Sequence, residues 1–305
     1  MFNTIQHNNL IVNNIDYITI LFIIYHRIYK EGDNIIIHVV KEGDTLSKIG
    51  SMYNVDYKKI AYDNEIPINQ ILVVGQTIVI INNNENKNRQ IIVNGYAFPN
   101  IDINILTKSL PSLTYLSIFS YSINPDGSLN MINDDDLISM TQDYGVIPVM
   151  VITNIGMDGR FNSDLVDDIL NDENAQNNLI HNIINIMNTK GYRGLNIDFE
   201  YIPKEDKDAY INFINKIKNE TSLYNYFLSV SVAPKTSDEQ TGLLYEAHDY
   251  KRIGELADHV VIMTYEWGYS GGPARAVAPI DLVQKVLDYA ITKIPSNKIL
   301  MGIPN

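Results

Sequence analysis

The segment that decides the fold is GLNIDFEY, residues 194–201, in which apolar and polar side chains alternate. In a strand these side chains point to two opposite faces. The apolar face carries Leu195, Ile197, Phe199 and Tyr201, and the polar face carries Asn196, Asp198 and Glu200. Strands of a parallel barrel are normally apolar on both faces, so three inward polar residues lower stability and indicate a function.

The two carboxyl groups of this segment, Asp198 and Glu200, are separated by one residue. An unpaired buried carboxylate costs several kcal/mol, and two close together favour retention of a proton by one of them at neutral pH. Glu200 is at the carboxyl end of the predicted strand, where barrels build their active sites. The alternative is an exposed edge strand with a solvated polar face, but parallel strands predicted on both sides argue against it.

Strands and amphipathic helices alternate on both sides of this segment. The predicted strands are 91–97, 113–119, 146–152, 195–201, 227–232, 259–264 and 298–303. Between them, helices show one apolar face, as at Tyr210, Phe213, Ile214 and Ile217. Seven such units imply parallel strands with right-handed crossovers, and they favour an α/β fold with a (β/α)₈ TIM-type barrel over an open sheet.

The predicted barrel, residues 91–305, contains seven strand units rather than eight. The sequence stops two residues after the seventh predicted strand. We therefore expect a barrel that is truncated after strand 7, either because the chain is a fragment or because the barrel is open.

Residues 35–82 form a separate pattern of strand, two short helices and strand. Leu46, Ile49 and Tyr53 share one face of the first helix, and Asp44 or Thr45 is placed to cap it. The polar run 83–90 has no apolar residue and is predicted to be a linker. Residues 1–34 lack a clear period and are expected to be a leader of uncertain order.

The composition excludes several classes of function. With 36 acidic and 23 basic residues the net charge is -13, which argues against a nucleic-acid partner. The chain has no cysteine, so disulfides, thiolate zinc sites and thiol nucleophiles are excluded. Its six histidines show no ligand spacing, and the acidic run 134–136 is more typical of a helix start than of a metal site. No metal or cofactor is expected.

A membrane span is not expected either. The most apolar stretch near the start, residues 18–25, has eight residues, whereas a span takes roughly 20. Basic residues follow this stretch and no Ala-x-Ala site is found, so no signal peptide is recognised.

Two motifs resemble those of glycoside hydrolase family 18, the family of chitinases and related N-acetylglucosaminidases. NIDFE at residues 196–200 is similar to its Asp-x-Asp-x-Glu signature, and MTYE at residues 263–266 is similar to its Met-x-Tyr-Asp stretch. With GYAF at residues 95–98 and the front module, the chain resembles the bacterial spore-germination and cortex-lytic branch. The resemblance covers about residues 91–305.

This resemblance implies roles for individual residues. Glu200 would be the general acid, Asp198 would orient the 2-acetamido group of the substrate, and Tyr265 would donate a hydrogen bond to the acetamido carbonyl. The acetamido oxygen itself would attack the anomeric carbon, so catalysis would be substrate-assisted. The residues expected to bind substrate are Asn196, Met263, Glu266, Trp267, Tyr96 and Phe98.

The chain also departs from the family pattern. Asn196 and Glu266 each replace an Asp of the motifs, and the aromatic residue that the family supplies from strand eight would lie beyond Asn305. Trp267 is the single Trp of the chain. It could stack on a sugar, or it could be a plain packing residue.

The front module resembles a LysM domain, a fold that binds peptidoglycan and chitin, through HVVKEGDTL at residues 38–46 and LVVGQTI at residues 72–78. By resemblance its sugar groove would be lined by Asp44, Thr45, Leu46, Asn64, Ile66 and Pro67. Asp44 and Thr45 could also serve only as helix caps. Tethering a weak binder to a hydrolase raises the local substrate concentration.

The sequence thus predicts a monomeric enzyme that cleaves N-acetylglucosaminyl bonds of peptidoglycan or a chitin-like polymer, with retention at the anomeric carbon. We expect it to act in the spore cortex, the coat or the cell wall. The alternatives are a non-catalytic sugar-binding protein on the same scaffold and an inert truncated product with unpaired strand edges.

Overall fold

The computed structural model describes residues 18–22, 35–81, 91–268 and 275–304. They fall into two compact units, residues 35–81 and residues 18–22 together with 91–304. The predicted linker lies outside the described residues, as does most of the predicted leader.

The described residues form ten strands and nine α-helices. The strands are β1 (Ile18–Phe22), β2 (Ile35–Val39), β3 (Thr77–Ile81), β4 (Val93–Ala97), β5 (Tyr115–Ser122), β6 (Ile147–Thr153), β7 (Gly194–Asp198), β8 (Phe227–Val232), β9 (His259–Ile262) and β10 (Ile299–Gly302). The helices are α1 (Leu46–Tyr53), α2 (Tyr57–Asp63), α3 (Ile103–Ser109), α4 (Asp135–Asp143), α5 (Ser163–Asn171), α6 (Glu173–Lys190), α7 (Lys207–Leu223), α8 (Tyr250–Leu256) and α9 (Ile280–Ala290).

The small unit has the predicted order of strand, two helices and strand, with β2 antiparallel to β3. The Thr45 hydroxyl accepts a hydrogen bond from the Lys48 amide, so Thr45 is the cap of α1. Leu46 and Ile49 are buried as predicted, and Tyr53 packs against the same core. A small apolar centre under two strands therefore holds this unit together.

The large unit is built on the seven strands β4 to β10, each parallel to the next. This confirms the predicted seven-stranded TIM-type fold. Parallel neighbours need long crossovers, and the amphipathic helices supply them on the outside of the barrel.

Strand β1 lies between the first and last parallel strands and is antiparallel to both. Leu21 pairs with Asn94 on one side and with Gly302 on the other. The residues of this stretch show no clear strand period, so β1 is not predicted by the sequence. Its strand conformation comes from the edges of β4 and β10, whose backbone groups would otherwise lack partners. The barrel is thereby closed.

The main core lies between the barrel strands and the outer helices. Leu195, Ile197 and Phe199 are completely buried there, as the alternation predicts. The Phe199 ring stacks on Phe213 of α7 at a centroid distance of 6.0 Å. The predicted apolar face of α7 is buried as well, which confirms that helix face.

The predicted strand 195–201 is too long at its carboxyl end. Strand β7 ends at Asp198, and Tyr201 has a left-handed backbone with φ of 57°. Tyr201 is 40% exposed rather than part of the buried apolar face. The chain leaves the sheet here because the pairing of β7 with both neighbours has ended.

No helix among the described residues has the length and apolar character needed to cross a membrane.

Candidate active site

A cavity of about 250 Å³ opens at the carboxyl ends of the barrel strands. It is lined by Tyr96, Ala97, Phe98, Phe119, Asp198, Ser231, Met263, Tyr265 and Glu266. These residues come from the ends of β4, β5, β7, β8 and β9 and from the segments that follow. Parallel strands bring their carboxyl ends to one side of a barrel, which is why residues far apart in sequence meet here.

Below the cavity, Asn196 is completely buried and tied into a polar layer. Its Nδ2 donates to Ser229 Oγ at 3.0 Å, and its Oδ1 accepts from the hydroxyls of Ser231 and Tyr96, each at 3.2 Å. Asn196 is therefore not part of the cavity lining. Asn196 is hydrogen-bonded to Tyr96 and Ser231, and these two residues do line the cavity.

Asp198 is the last residue of β7 and is 6% exposed. Its Oδ1 is buried without a hydrogen-bond partner among the described residues. Burial raises the pKa of Asp198, and the Ser231 hydroxyl opposes this rise. An oxygen left unused beside a cavity is available to a ligand or a proton, because burying it unpaired is unfavourable.

Glu200 follows Asp198 by two residues and is partly buried. Burial raises the pKa of Glu200, and the negative charges of Asp198 and Glu266 raise it further. The carboxyl group therefore keeps a proton at pH values where an exposed glutamate has lost it. The spacing of the two carboxyl groups predicts this property, and the structure gives the same direction.

Tyr265 and Met263 follow the end of β9 and both line the cavity. Burial raises the pKa of Tyr265 well above its ordinary value, and the nearby Tyr96 and Asp198 add to the rise. Its hydroxyl therefore remains protonated and can donate a hydrogen bond. Tyr265 and Asp198, predicted from separate motifs, are brought to one cavity.

Glu266 also lines the cavity, from a left-handed backbone with φ of 65°. Trp267 comes next but is not among the lining residues in the part of the chain that the structure describes. It packs against the main core, and its amide donates to the Val277 carbonyl. A role for Trp267 in stacking on a sugar stays a prediction.

An aromatic wall borders the cavity on the side of β4 and β5. Phe119 makes edge-to-face contacts with Phe98 at 5.6 Å and with Tyr96 at 6.5 Å between ring centroids. Phe98 is 45% exposed, so part of its ring is available to a ligand. Aromatic rings of this kind contact the apolar faces of flat ligands.

Phe119 and Ser231 line the cavity but were not predicted from the sequence. Phe119 is the final residue of the predicted strand 113–119, so its place at a carboxyl end was a usable signal. Ser231 alternates with Ser229 in β8, which marks a small polar inward face.

In the small unit, the predicted groove residues make structural contacts. The Asp44 carboxylate lies 2.9 Å from His38 Nε2 and accepts from the Lys41 amide, while Leu46 and Ile66 are buried. Asn64 Nδ2 donates to the Val79 carbonyl oxygen, and Asn64 Oδ1 accepts from the Val79 amide, at 2.7 Å each. Pro67 accepts a backbone hydrogen bond from Gln70. A sugar groove formed by these residues stays a prediction.

The acidic run at the start of α4 serves the fold. Asp134 is completely buried and accepts hydrogen bonds from the hydroxyls of Tyr121 and Tyr192 and from the Lys190 ammonium. Asp135 and Asp136 lie in the first turn of α4, where they favour the helix dipole. Within the described ranges, no three His, Asp or Glu side chains are grouped so as to hold a metal ion.

Comparisons with known proteins agree with this architecture. The profile of Glycosyl hydrolases family 18 matches residues 100–305, and that of the LysM domain matches residues 38–80. The cortical fragment-lytic enzyme of Bacillus subtilis (strain 168) is 36% identical over an alignment of 318 positions, gaps included, that spans 87% of this chain and 74% of that protein.

Solved structures give the same picture. The spore cortex-lytic enzyme SleL of Bacillus megaterium QM B1551 is 37% identical, with a TM-score of 0.65 over 87% of this chain and 62% of that chain. The chain thus spans less than two thirds of the length of that structure. A chitinase from Chromobacterium violaceum is 22% identical, with a TM-score of 0.63 over 68% of this chain and 66% of its own, and this likeness concerns the fold alone. The chain belongs to glycosyl hydrolase family 18 and carries a LysM domain.

Proposed function

We propose that this protein is a glycoside hydrolase that cleaves N-acetylglucosaminyl bonds in peptidoglycan of the spore cortex, with Glu200 as general acid. The observation that carries the proposal is the buried Asp198 carboxyl group, which lines a cavity together with Tyr265. The partly buried Glu200 follows it by two residues, and its pKa is raised by burial and by the charges of Asp198 and Glu266. The choice of polymer rests on the relatives, which are described as cortical fragment-lytic or spore cortex-lytic enzymes, and on the LysM domain.

In the proposed first step, Glu200 donates its proton to the glycosidic oxygen while the bond from that oxygen to the anomeric carbon breaks. The acetamido oxygen of the same sugar forms the new bond to the anomeric carbon and gives an oxazolinium ion. Asp198 stabilises the positive charge that develops on the acetamido group, and Tyr265 donates a hydrogen bond to its oxygen.

In the second step, Glu200, now a carboxylate, takes a proton from water. The hydroxide equivalent bonds to the anomeric carbon and the oxazolinium ring opens. Two displacements at the same carbon return the original configuration, so the product is the retained anomer. The raised pKa of Glu200 favours both proton transfers, because it lies nearer to the working pH than the pKa of an exposed glutamate.

Glu200→Gln tests this proposal, with release of reducing ends from purified spore cortex peptidoglycan as the measurement. Loss of the acid is expected to lower kcat roughly 10²- to 10⁴-fold. Glu255→Gln is the matched control, since Glu255 is an exposed glutamate of α8. Equal rates for Glu200→Gln and wild type would contradict the proposal.

The same variant separates a hydrolase from a sugar-binding protein. Glu200→Gln should still sediment with insoluble peptidoglycan, because the substitution leaves the LysM domain unchanged. If the wild-type protein sediments but releases no reducing ends, the non-catalytic alternative is correct.

A further inference from the structure

Glu200 and the residues on either side of it, Phe199 and Tyr201, lie outside the regular sheet. Strand β7 ends at Asp198, and the segment Phe199–Tyr201 makes no ladder with its neighbours. Its backbone groups are bonded instead by side chains from three other places: Asn154 after β6, Ser163 at the start of α5, and His248 before α8. This segment is therefore positioned by side chains rather than by strand pairing.

Asn154 makes the most demanding of these contacts. Its Oδ1 accepts from the Glu200 amide at 2.9 Å, and its Nδ2 donates to the Glu200 carbonyl oxygen at 2.9 Å. The same Nδ2 donates to the Asn162 carbonyl at 3.0 Å. Asn154 is completely buried, and both of its polar atoms are occupied by backbone groups. It is thus bonded to both backbone groups of one residue.

A reciprocal pair of hydrogen bonds restricts the backbone more than a single bond does. One bond permits rotation about its axis, whereas two bonds on the N–H and the C=O of Glu200 fix its backbone on both sides. An amide side chain carries a donor and an acceptor on two separate atoms of one planar group, which matches this contact. Asp lacks the donor, and Gln is one methylene longer.

The neighbouring contacts support the same segment. His248 Nδ1 accepts from the Ala233 amide at 2.9 Å, so its Nε2 carries the proton and donates to the Phe199 carbonyl at 3.1 Å. Burial lowers the pKa of His248 to about 4, so this arrangement keeps a neutral ring at working pH. The Ser163 hydroxyl donates to the Tyr201 carbonyl at 2.7 Å.

We propose that Asn154 is a positioning residue that holds the Glu200 carboxyl group in the orientation needed for proton transfer. Asn154 lies outside the cavity lining and acts through the backbone of Glu200. The inference rests on the proposed function, because it assigns a task to Asn154 only if Glu200 is the acid. General acid catalysis depends on alignment, and a misplacement of about 1 Å lowers rates by roughly 10²-fold.

Asn154→Ala tests the inference on purified spore cortex peptidoglycan, with kcat, KM and the pH profile of kcat/KM measured together. We expect kcat to fall roughly 10- to 100-fold with KM nearly unchanged. We also expect the alkaline limb of the profile to move to lower pH. Without Asn154 the Glu200 side chain can move away from Asp198 and Glu266, whose negative charges raise its pKa. A loss of general stability would not move this limb.

Asn182→Ala is the matched control. The Asn182 amide also donates to a backbone carbonyl, that of Gly127, at 2.9 Å. This contact does not involve Glu200, so we expect wild-type kcat and an unchanged pH profile. If Asn154→Ala and Asn182→Ala behave alike, the positioning role is overturned.

Two further variants keep the result interpretable. If Asn154→Ala does not fold, Asn154→Asp keeps the acceptor for the Glu200 amide and loses the donor to its carbonyl, and kcat should again fall more than KM changes. A folded Asn154→Asp with wild-type kcat would overturn the inference.

Glu200→Gln distinguishes the two proposals: if it is inactive while Asn154 variants match wild type, the proposed function stands and the positioning role fails. If it is fully active, the proposed function itself fails.

Discussion

The ring of Tyr265 packs directly on the backbone of Gly302. A Cβ added to Gly302 would lie 2.6 Å from Cε1 of Tyr265 and 2.8 Å from the Ile262 carbonyl oxygen. Real side chains do not approach this closely, so a glycine in β10 is required for the observed position of Tyr265.

Gly302→Ala is therefore expected to displace the Tyr265 ring. We predict a fall in kcat of about tenfold or more, together with a loss of about 1 to 3 kcal/mol in the free energy of unfolding from overpacking. Kinetics on spore cortex peptidoglycan and urea denaturation measure the two effects. Tyr265→Phe, which keeps the ring and removes the hydroxyl, gives the loss expected from the hydroxyl alone. Wild-type kcat in Gly302→Ala would show that the position of Tyr265 does not matter.

Asp198→Asn is predicted to affect both the rate and its pH dependence. The variant removes a negative charge that raises the pKa of Glu200, so the alkaline limb of kcat/KM should move to lower pH. We expect kcat itself to fall roughly 10²-fold, since Asp198 no longer stabilises positive charge. Asp168→Asn, at an exposed position of α5, is the control and should match wild type. An alkaline limb that stays in place would contradict the coupling of the two carboxyl groups.

The stability of the protein should also depend on Glu200. Its pKa is raised from 4.5 to about 8 by burial and by the charges of Asp198 and Glu266. Between these values the folded state holds a proton that the unfolded state has lost, so the free energy of unfolding contributed by Glu200 falls as pH rises. The contribution is fully present below pH 4.5 and is lost as pH rises through 8.

Glu200→Gln lacks this titration. The free energy of unfolding of Glu200→Gln minus that of wild type should therefore increase from pH 5 to pH 9, by no more than a few kcal/mol. Urea denaturation at the two pH values measures the change, and Glu255→Gln should show none. The prediction is wrong if Glu200→Gln and wild type lose stability in parallel.

Asp134→Asn tests a structural role away from the cavity. It leaves the Lys190 ammonium without its buried partner, and removing one member of a buried ion pair costs about 3 to 5 kcal/mol. Asp135→Asn is the control, because Asp135 contacts the same ammonium at 3.0 Å but is 72% exposed. Its effect should stay below about 1 kcal/mol. Thermal melting distinguishes the two, and equal Tm values would contradict the role of Asp134.

Phe98→Ala should weaken substrate binding with little effect on folding, because Phe98 is already 45% exposed. Loss of an aromatic contact worth about 1 kcal/mol corresponds to a KM raised several-fold. Steady-state kinetics on peptidoglycan fragments, which give KM separately from kcat, measure this effect. An unchanged KM would show that the aromatic wall does not contact the substrate.

Local patterns in the sequence were sufficient for the seven parallel strands and the helices between them, and for the position of the two carboxyl groups, but not for β1. Periods of 2 and 3.6 residues report which face of each element is apolar, and α7 is buried on the face so predicted. The end of β7 was less predictable. The alternation continues to Tyr201, but the pairing stops at Asp198, and only the neighbouring strands determine where it stops.

What the sequence by itself determined is the chemistry available: an Asp and a Glu two residues apart at the end of a predicted barrel strand, and a Tyr after another. Only the tertiary structure decided their surroundings. The pairing of β1 with β4, the amide of Asn154 on the Glu200 backbone, and the bare backbone of Gly302 under Tyr265 all join residues far apart in sequence. The separations run from 37 positions, for Tyr265 and Gly302, to 79 positions, for Ile18 and Ala97. The physical reason is that periodicity encodes which way a side chain faces, whereas contacts across the barrel depend on strand order and register.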